Sequence, residues 1–165
     1  MTPSFLLGKY ILLPFLSVMN PRVQYFQFRF IHRVIGVNAY LYKIKLSDTP
    51  LCTFCQEVDE TLNHLFWSCY ITSDFWKEAI NLCFNENFNI SGDNVMFGYV
   101  ERIQHPVNFF ILHAKYYLFI CKQENRMPCA ASFHRYFKYV KDIECLILKN
   151  RGNNERLDMF QLFSG

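Results

Sequence analysis

The chain has 165 residues, 52% of them hydrophobic, which fits one ordinary domain with a core of its own and argues against intrinsic disorder. Its net charge of +3 hides a partition: residues 1–47 hold six Lys/Arg and no acid, residues 48–101 hold nine acids and only Lys77, and residues 102–165 hold ten bases and five acids. An anionic partner is therefore expected at the basic ends and not at the acidic middle. Eighteen Phe and ten Tyr call for an aromatic core or for a surface that lies against something else. Seven cysteines, an odd count, do not make a complete disulfide framework; reduced thiols in the cytoplasm or nucleus fit better.

The N-terminal "FLLGKYILLPFLSVM" is apolar, but Lys9 interrupts it and Pro14 would disturb a helix. Its uncharged run, residues 10–21, is shorter than the ~20 residues a membrane helix needs, and it lacks the flanks of a signal peptide. Residues 1–19 are left unassigned. "MNPRVQYFQFRFIHRVIG" predicts a helix with Asn20 as N-cap, Pro21 at its first position and Gly36 beyond its end. Arg22, Arg29 and Arg33 share one stripe of it, with Phe26 between them, and Val23, Phe30 and Val34 form the neighbouring apolar face. "NAYLYKIKL" predicts a short helix capped by Asn38. "SDTPLCTFCQEVD" has the composition of a loop. "ETLNHLFW" predicts a short helix, and "DFWKEAINLCF" another capped by Ser73. After the loop "NENFNISGDN", the stretch "NVMFGYV" has the pattern of a short strand. A long buried helix is expected over about 107–125, ended by Pro128, and a last one from near Ser132 to about Asn150, with Gly152 after it. The fold class expected is mainly α. It divides into a helical arm with a Cys/His module over 20–85, a C-terminal helical region over 86–150 and a frayed tail over 151–165.

"CTFCQEVDETLNHLFWSC" has the spacing C-x2-C-x8-H-x4-C, formed by Cys52, Cys55, His64 and Cys69. Three thiolates and one imidazole form a standard tetrahedral zinc set. The C-x2-C pair suits a tight turn, and Pro50 fixes its entry. The last interval is demanding. Residues five apart on an α-helix differ by about 500°, or about 140° around the axis, so His64 and Cys69 cannot share a face of a regular helix. The helix must end near Trp67 or Ser68 for the site to form. Four protein ligands leave no open position for water, so one structural Zn2+ is expected and no catalysis at it. The bland alternative is a chance grouping of buried cysteines. Cys83, Cys121, Cys129 and Cys145 lack metal spacing and read as buried free thiols. His32, His105, His113 and His134 read as packing or surface residues.

The run "FQFRFIHRVIGVNAYLYKIKLSDTPLCTFCQEVDETLNHLFWSCYITSDFW" resembles the zinc-binding region at the C-terminal end of reverse transcriptases from non-LTR (LINE-like) retrotransposons. The shared features are an aromatic-basic helix ending in an Asn-containing turn, "LYKI", the C-x2-C pair, "ET", "HLFW", a final Cys and a downstream Trp. The resemblance implies Cys52, Cys55, His64 and Cys69 as ligands of a CCHC zinc knuckle, and Glu60, Thr61, Leu65, Phe66 and Trp76 as pattern residues that are not ligands. "NFFILHAKYYLFICKQENRMP" also resembles the helix that follows in animal members. No Tyr/Phe-Ala-Asp-Asp signature of a polymerase palm and no endonuclease constellation are visible. The chain thus reads as a non-catalytic piece of such a polyprotein or a reading frame derived from one. The resemblance implies RNA or DNA and the parent polymerase as partners, with neither a membrane nor a small-molecule substrate.

The knuckle itself carries three acids and no base between Cys52 and Cys69, whereas nucleic-acid affinity rests on cations against phosphate. Contacts are therefore expected on two basic helical arms. Arg22, Phe26, Arg29 and Arg33 form one; Lys115, Phe119, Lys122 and Arg126 repeat the same spacing on the later helix. Against this stands the ordinary reading of a solvated helix face beside core aromatics. A protein-interaction module, or an inert remnant, is the alternative function.

Overall fold

A computed structural model of the chain describes residues 17–84, 88–99 and 105–163. The apolar stretch before Ser17 lies outside them. The elements are α1 (Pro21–Ile31), α2 (Asn38–Lys43), a π-helical turn (His64–Ser68), α3 (Tyr70–Cys83), α4 (Gly92–Phe97), α5 (His105–Gln123), α6 (Ala130–Asn150), α7 (Asn154–Asp158) and a final 3-10 turn (Met159–Leu162). Among the described residues there is no strand, only two isolated bridges, Leu51 with Asp59 and Phe84 with Phe163. The mainly α fold class holds. No described helix is long and apolar enough to cross a membrane.

The long helix α5 is the centre of the molecule. Residues 106–115 are buried without interruption, so the helix is covered on every side there, with Asn108, His113 and Lys115 as buried polar groups among apolar ones. Helix α1 lies on one flank and buries Val23, Phe26, Gln27 and Phe30. Helices α3 and α6 close the other, through Phe75, Trp76, Phe110, Phe133 and Phe137. The rings meet edge-on or tilted, as Trp76–Phe110 at 6.0 Å and Phe110–Phe137 at 5.4 Å, the arrangement that ring quadrupoles favour. The phenylalanine excess is thus spent mostly inside. One buried cluster runs from Val18 to Phe163, so the zinc-side and C-terminal halves share a core.

Local chemistry explains the boundaries. Asn20 caps α1 as expected, its Oδ1 accepting the Arg22 N–H at 2.9 Å, with Pro21 at the first position. The helix stops before Gly36, because Arg33 takes the left-handed conformation (φ 55°) and Val34 N–H returns to the Arg29 carbonyl at 2.9 Å. Asn38 does not cap α2; Val37 holds that position, and the Asn38 side chain is used elsewhere. Helix α3 begins at Tyr70, before the expected cap Ser73, since Cys69 supplies the extended residue ahead of it. The strand expected over "NVMFGYV" is instead helix α4, started by a reciprocal capping box between Ser91 and Asn94. The tail is not frayed as far as it is described: Phe160 and Phe163 are buried and pack on Phe109, Phe84 and Phe137. Cys83 and Cys121 are buried, but Cys129 is exposed and Cys145 half-buried, against expectation.

Candidate metal centre and basic faces

The knuckle is a loop closed by its own backbone. Cys52 N–H donates to Val58 O at 2.8 Å and Glu60 N–H to Pro50 O at 2.8 Å, pairing the two limbs. At the tip Gln56 adopts a left-handed conformation (φ 58°), a place where glycine is usual. Its own side chain offsets the cost, Nε2 donating to Cys52 O at 2.8 Å and to Thr53 O at 3.1 Å. The tight turn leaves backbone N–H groups aimed at sulfur, as Phe54 N–H to Cys52 Sγ at 3.4 Å.

His64 and Cys69 meet by a device the α-helical geometry did not offer. The segment His64–Ser68 is a π-helical turn, closed by Cys69 N–H on His64 O at 2.9 Å. A five-residue hydrogen-bond step widens the turn and brings positions five apart to the same side, which an α-helix cannot do. The helix then ends where expected, with Cys69 extended at φ −65°, ψ 133°. Thr61 starts the turn, its hydroxyl accepting the His64 N–H at 3.1 Å. The widened turn displaces carbonyls from their usual partners. Thr72 Oγ1 donates to Leu65 O at 2.9 Å and Trp76 Nε1 to Phe66 O at 2.8 Å, both buried. The opposite side of the turn carries Phe66 into the core, 5.1 Å from Phe30 and 6.1 Å from Phe26.

The donor atoms of Cys52, Cys55, His64 and Cys69 lie within 4.8 Å of one another. A tetrahedral zinc at the usual bond lengths needs S···S near ~3.8 Å and S···N near ~3.5 Å. Cys55 Sγ and His64 Nε2 are 3.3 Å apart, so small side-chain adjustments complete the set. The donor types fit as well. Burial pushes the Cys52 thiol up to about 12, against opposing N–H groups of Cys55 and Phe54. Burial also acts on Cys55, but the Glu57 N–H and the His64 ring outweigh it and bring that thiol down to about 7. Three cysteines and one histidine form a closed site for one structural zinc. When bound, the metal supplies a cross-link between the knuckle and the head of α3. Structural zinc contributes ~10–16 kcal/mol of apparent binding energy in small modules.

Glu60, within the knuckle segment, has no exposed surface. Its carboxylate accepts from Asn38 N–H at 2.8 Å, Thr53 N–H at 2.7 Å and Thr53 Oγ1 at 2.6 Å, and pairs with Lys122 Nζ at 2.7 Å. Lys122 also donates to Asn38 Oδ1 at 2.9 Å, and Asn38 Nδ2 donates to Leu51 O at 2.7 Å. One buried carboxylate thus joins α2, the zinc loop and α5. Sequence reasoning placed Glu60 only as a pattern residue. The available signal was an acid inside the Cys/His stretch and a lone base near the end of an apolar helix, but nothing in sequence paired them across 62 positions. The exposed acids of the knuckle reduce to Glu57 and Asp59.

The eight residues expected to face nucleic acid separate sharply. On the later arm, Lys115 is buried, donating to Gln27 Oε1 at 2.9 Å with its ammonium 4.0 Å from the Phe30 ring centroid. Burial pushes its amine down to about 7. Phe119 is buried 5.2 Å from Phe26, which is buried too. Lys122 is spent on Glu60, and Arg126 pairs with Glu124 and lies 5.0 Å over the Tyr117 ring. The later arm is therefore corrected: it is mostly an internal seam, because α5 is covered on both flanks. Arg22 on α1 and Arg33 just beyond its end are exposed and Arg29 is half-buried, but Phe26 faces the core. The exposed aromatic on their stripe is Tyr25, 5.9 Å from the Arg29 guanidinium, beside Phe28 and His32.

Fold and site together define a helical module pinned by a closed Cys3His zinc centre. Residues 13–76 match the family described as zinc-binding in reverse transcriptase, a stretch that contains all four donor residues of the site. That family is a zinc-binding module, not a catalytic domain. The match ends at Trp76, the residue that completes the π-helical turn, and leaves α4 to α7 outside it. No curated protein and no solved structure matches the chain.

Proposed function

We propose that the module serves a reverse transcriptase of the non-LTR (LINE-like) kind, inside the cell, by holding RNA or DNA on the outer face of α1 while doing no chemistry itself. The observation that carries this reading is the group of Arg22, Tyr25 and Arg29 on α1 with His32 and Arg33 at its C-terminal end, all exposed or half-exposed, in a chain whose first 47 residues contain no acid. Guanidinium groups neutralise phosphates while interleaved rings stack on bases. The zinc centre contributes by fixing the knuckle, and through Glu60 it fixes α2 and α5, on which α1 rests. The acidic Glu57 and Asp59 turn the knuckle tip away from phosphate.

The test is a titration of labelled single-stranded RNA at several salt concentrations with zinc-loaded protein. Each phosphate contact on a single strand adds ~0.7 to the slope of log K against log salt, so Arg22→Gln, Arg29→Gln and Arg33→Gln together are expected to lower the slope by about 2. Lys122→Met, which touches a buried pair, leaves the slope unchanged. An unchanged slope in the triple variant, or the absence of binding at low salt, overturns the proposal.

A further inference from the structure

Helix α6 has a second, outward apolar face that no described element covers. Its inner face carries Phe133, Phe137 and Leu148 into the core. On the outside Tyr139, Ile143 and Leu146 are 65%, 40% and 59% exposed, at the i, i+4, i+7 spacing of one stripe. This is not a solvated surface with one stray aliphatic residue. The stripe borders a cavity of about 460 Å³ between α6 and the segment Met19–Pro21, lined also by Val140, Ile147 and His113. A ridge beside a concavity is the shape into which side chains of another helix insert.

The rim of this groove is basic. Arg135, Lys138 and Lys149 are exposed on the solvent side of the stripe, with Asp142 as the acid among them. Glu144 at the base is buried and turned toward Arg156, so it does not offset the rim. We propose that this face docks an acidic amphipathic helix of a partner protein, apolar anchors in the groove and carboxylates against the rim. The chemistry favours that occupant. Ile143 and Leu146 neither stack on bases nor contact phosphate, so a nucleic acid would leave them idle. A flat bilayer surface would not fill the concavity. A second copy of this chain would bring the same positive rim against it. The inference stands apart from the α1 reading, since it uses another helix and another class of partner.

The experiment uses the full zinc-loaded chain and a labelled, helix-stabilised synthetic peptide with leucines at i, i+3, i+4 and i+7 flanked by glutamates, next to a twin flanked by lysines. The acidic peptide is expected to bind saturably and the lysine twin about tenfold more weakly, the scale that rim charge and register can supply. Tyr139→Ala with Leu146→Ala weakens the acidic peptide by about tenfold or more, as loss of central anchors does. Arg135→Gln with Lys149→Gln weakens it severalfold and reduces its salt dependence. Zinc content and helicity stay unchanged, because these side chains are exposed. Failure of saturable binding, equal binding of the twin, or indifference to the anchor variants overturns the proposal. So does a dimer in sedimentation that Ile143→Glu disperses, or anionic vesicles or single-stranded RNA that lose affinity with the anchor variants.

Discussion

Removing the Glu60 carboxylate should damage this protein more than removing its partner Lys122, although both end the same ion pair. Glu60→Ala leaves the Lys122 ammonium, whose side chain is only 10% exposed, with Asn38 Oδ1 at 2.9 Å and Thr53 Oγ1 at 3.4 Å as remaining acceptors. It also orphans the N–H groups of Asn38 and Thr53. Breaking a buried pair from one side costs ~3–5 kcal/mol, and each orphaned donor adds to that unless water enters. About 4–5 kcal/mol is a large share of the ~5–15 kcal/mol by which a domain is stable. At 2–4 °C per kcal/mol for a chain of this size, the midpoint falls by roughly 8–20 °C. Lys122→Met leaves Glu60 with three donors still in place, so its loss is smaller. The double variant Glu60→Leu with Lys122→Met recovers part of the Glu60→Ala deficit, because no lone charge stays buried. Thermal or urea unfolding with excess zinc, alongside zinc stoichiometry, measures all three. A Glu60→Ala midpoint close to the wild type, or a Lys122→Met loss at least as large, would refute the view that the carboxylate organises the joint.

Trp76→Phe keeps an aromatic ring but removes the donor to Phe66 O and part of the buried indole, and is expected to cost at least ~1–3 kcal/mol in urea unfolding; a neutral result would show that the widened turn does not need the donor. Gly92→Ala places a Cβ 2.7 Å from Trp67 Nε1, which forces the indole aside at ~1–3 kcal/mol and changes its fluorescence. His113 is buried against Tyr136, and burial pushes its imidazole down to about 3. The unfolded chain therefore binds its proton first, and the stability that the neutral ring contributes is full above about pH 6.5 and lost as pH falls toward 3. About 2 kcal/mol should go between pH 7 and pH 5, and His113→Gln should remove that slope while both proteins share the same zinc centre. Chelation of zinc should unfold the knuckle and expose Cys52, Cys55 and Cys69 to a thiol reagent, since the metal's ~10–16 kcal/mol exceeds what the loop's own contacts supply; unchanged thiol reactivity would contradict a structural role.

The amino-acid order by itself determined the local events. Asn20 and Pro21 start α1 wherever the rest of the chain goes, because a cap and a fixed φ act within a few residues. The ligands Cys52, Cys55, His64 and Cys69 were legible for the same reason: metal chemistry restricts residue type and spacing before any fold exists. The tertiary structure decided which face of each helix meets water. Phe26 and Tyr25 are neighbours in sequence with equal claim to an exposed stripe, yet only Tyr25 is outside, since Phe66 and Phe119 arrive from distant segments to cover Phe26. Lys115 and Lys122 look like solvent-facing bases along α5; one is buried under α1 and the other consumed by Glu60, because helix periodicity does not say how many sides will be covered. The π-helical turn belongs to the same category. It exists because Thr72 and Trp76, folded back from α3, donate hydrogen bonds to the carbonyls it displaces, and without that packing His64 and Cys69 would point apart.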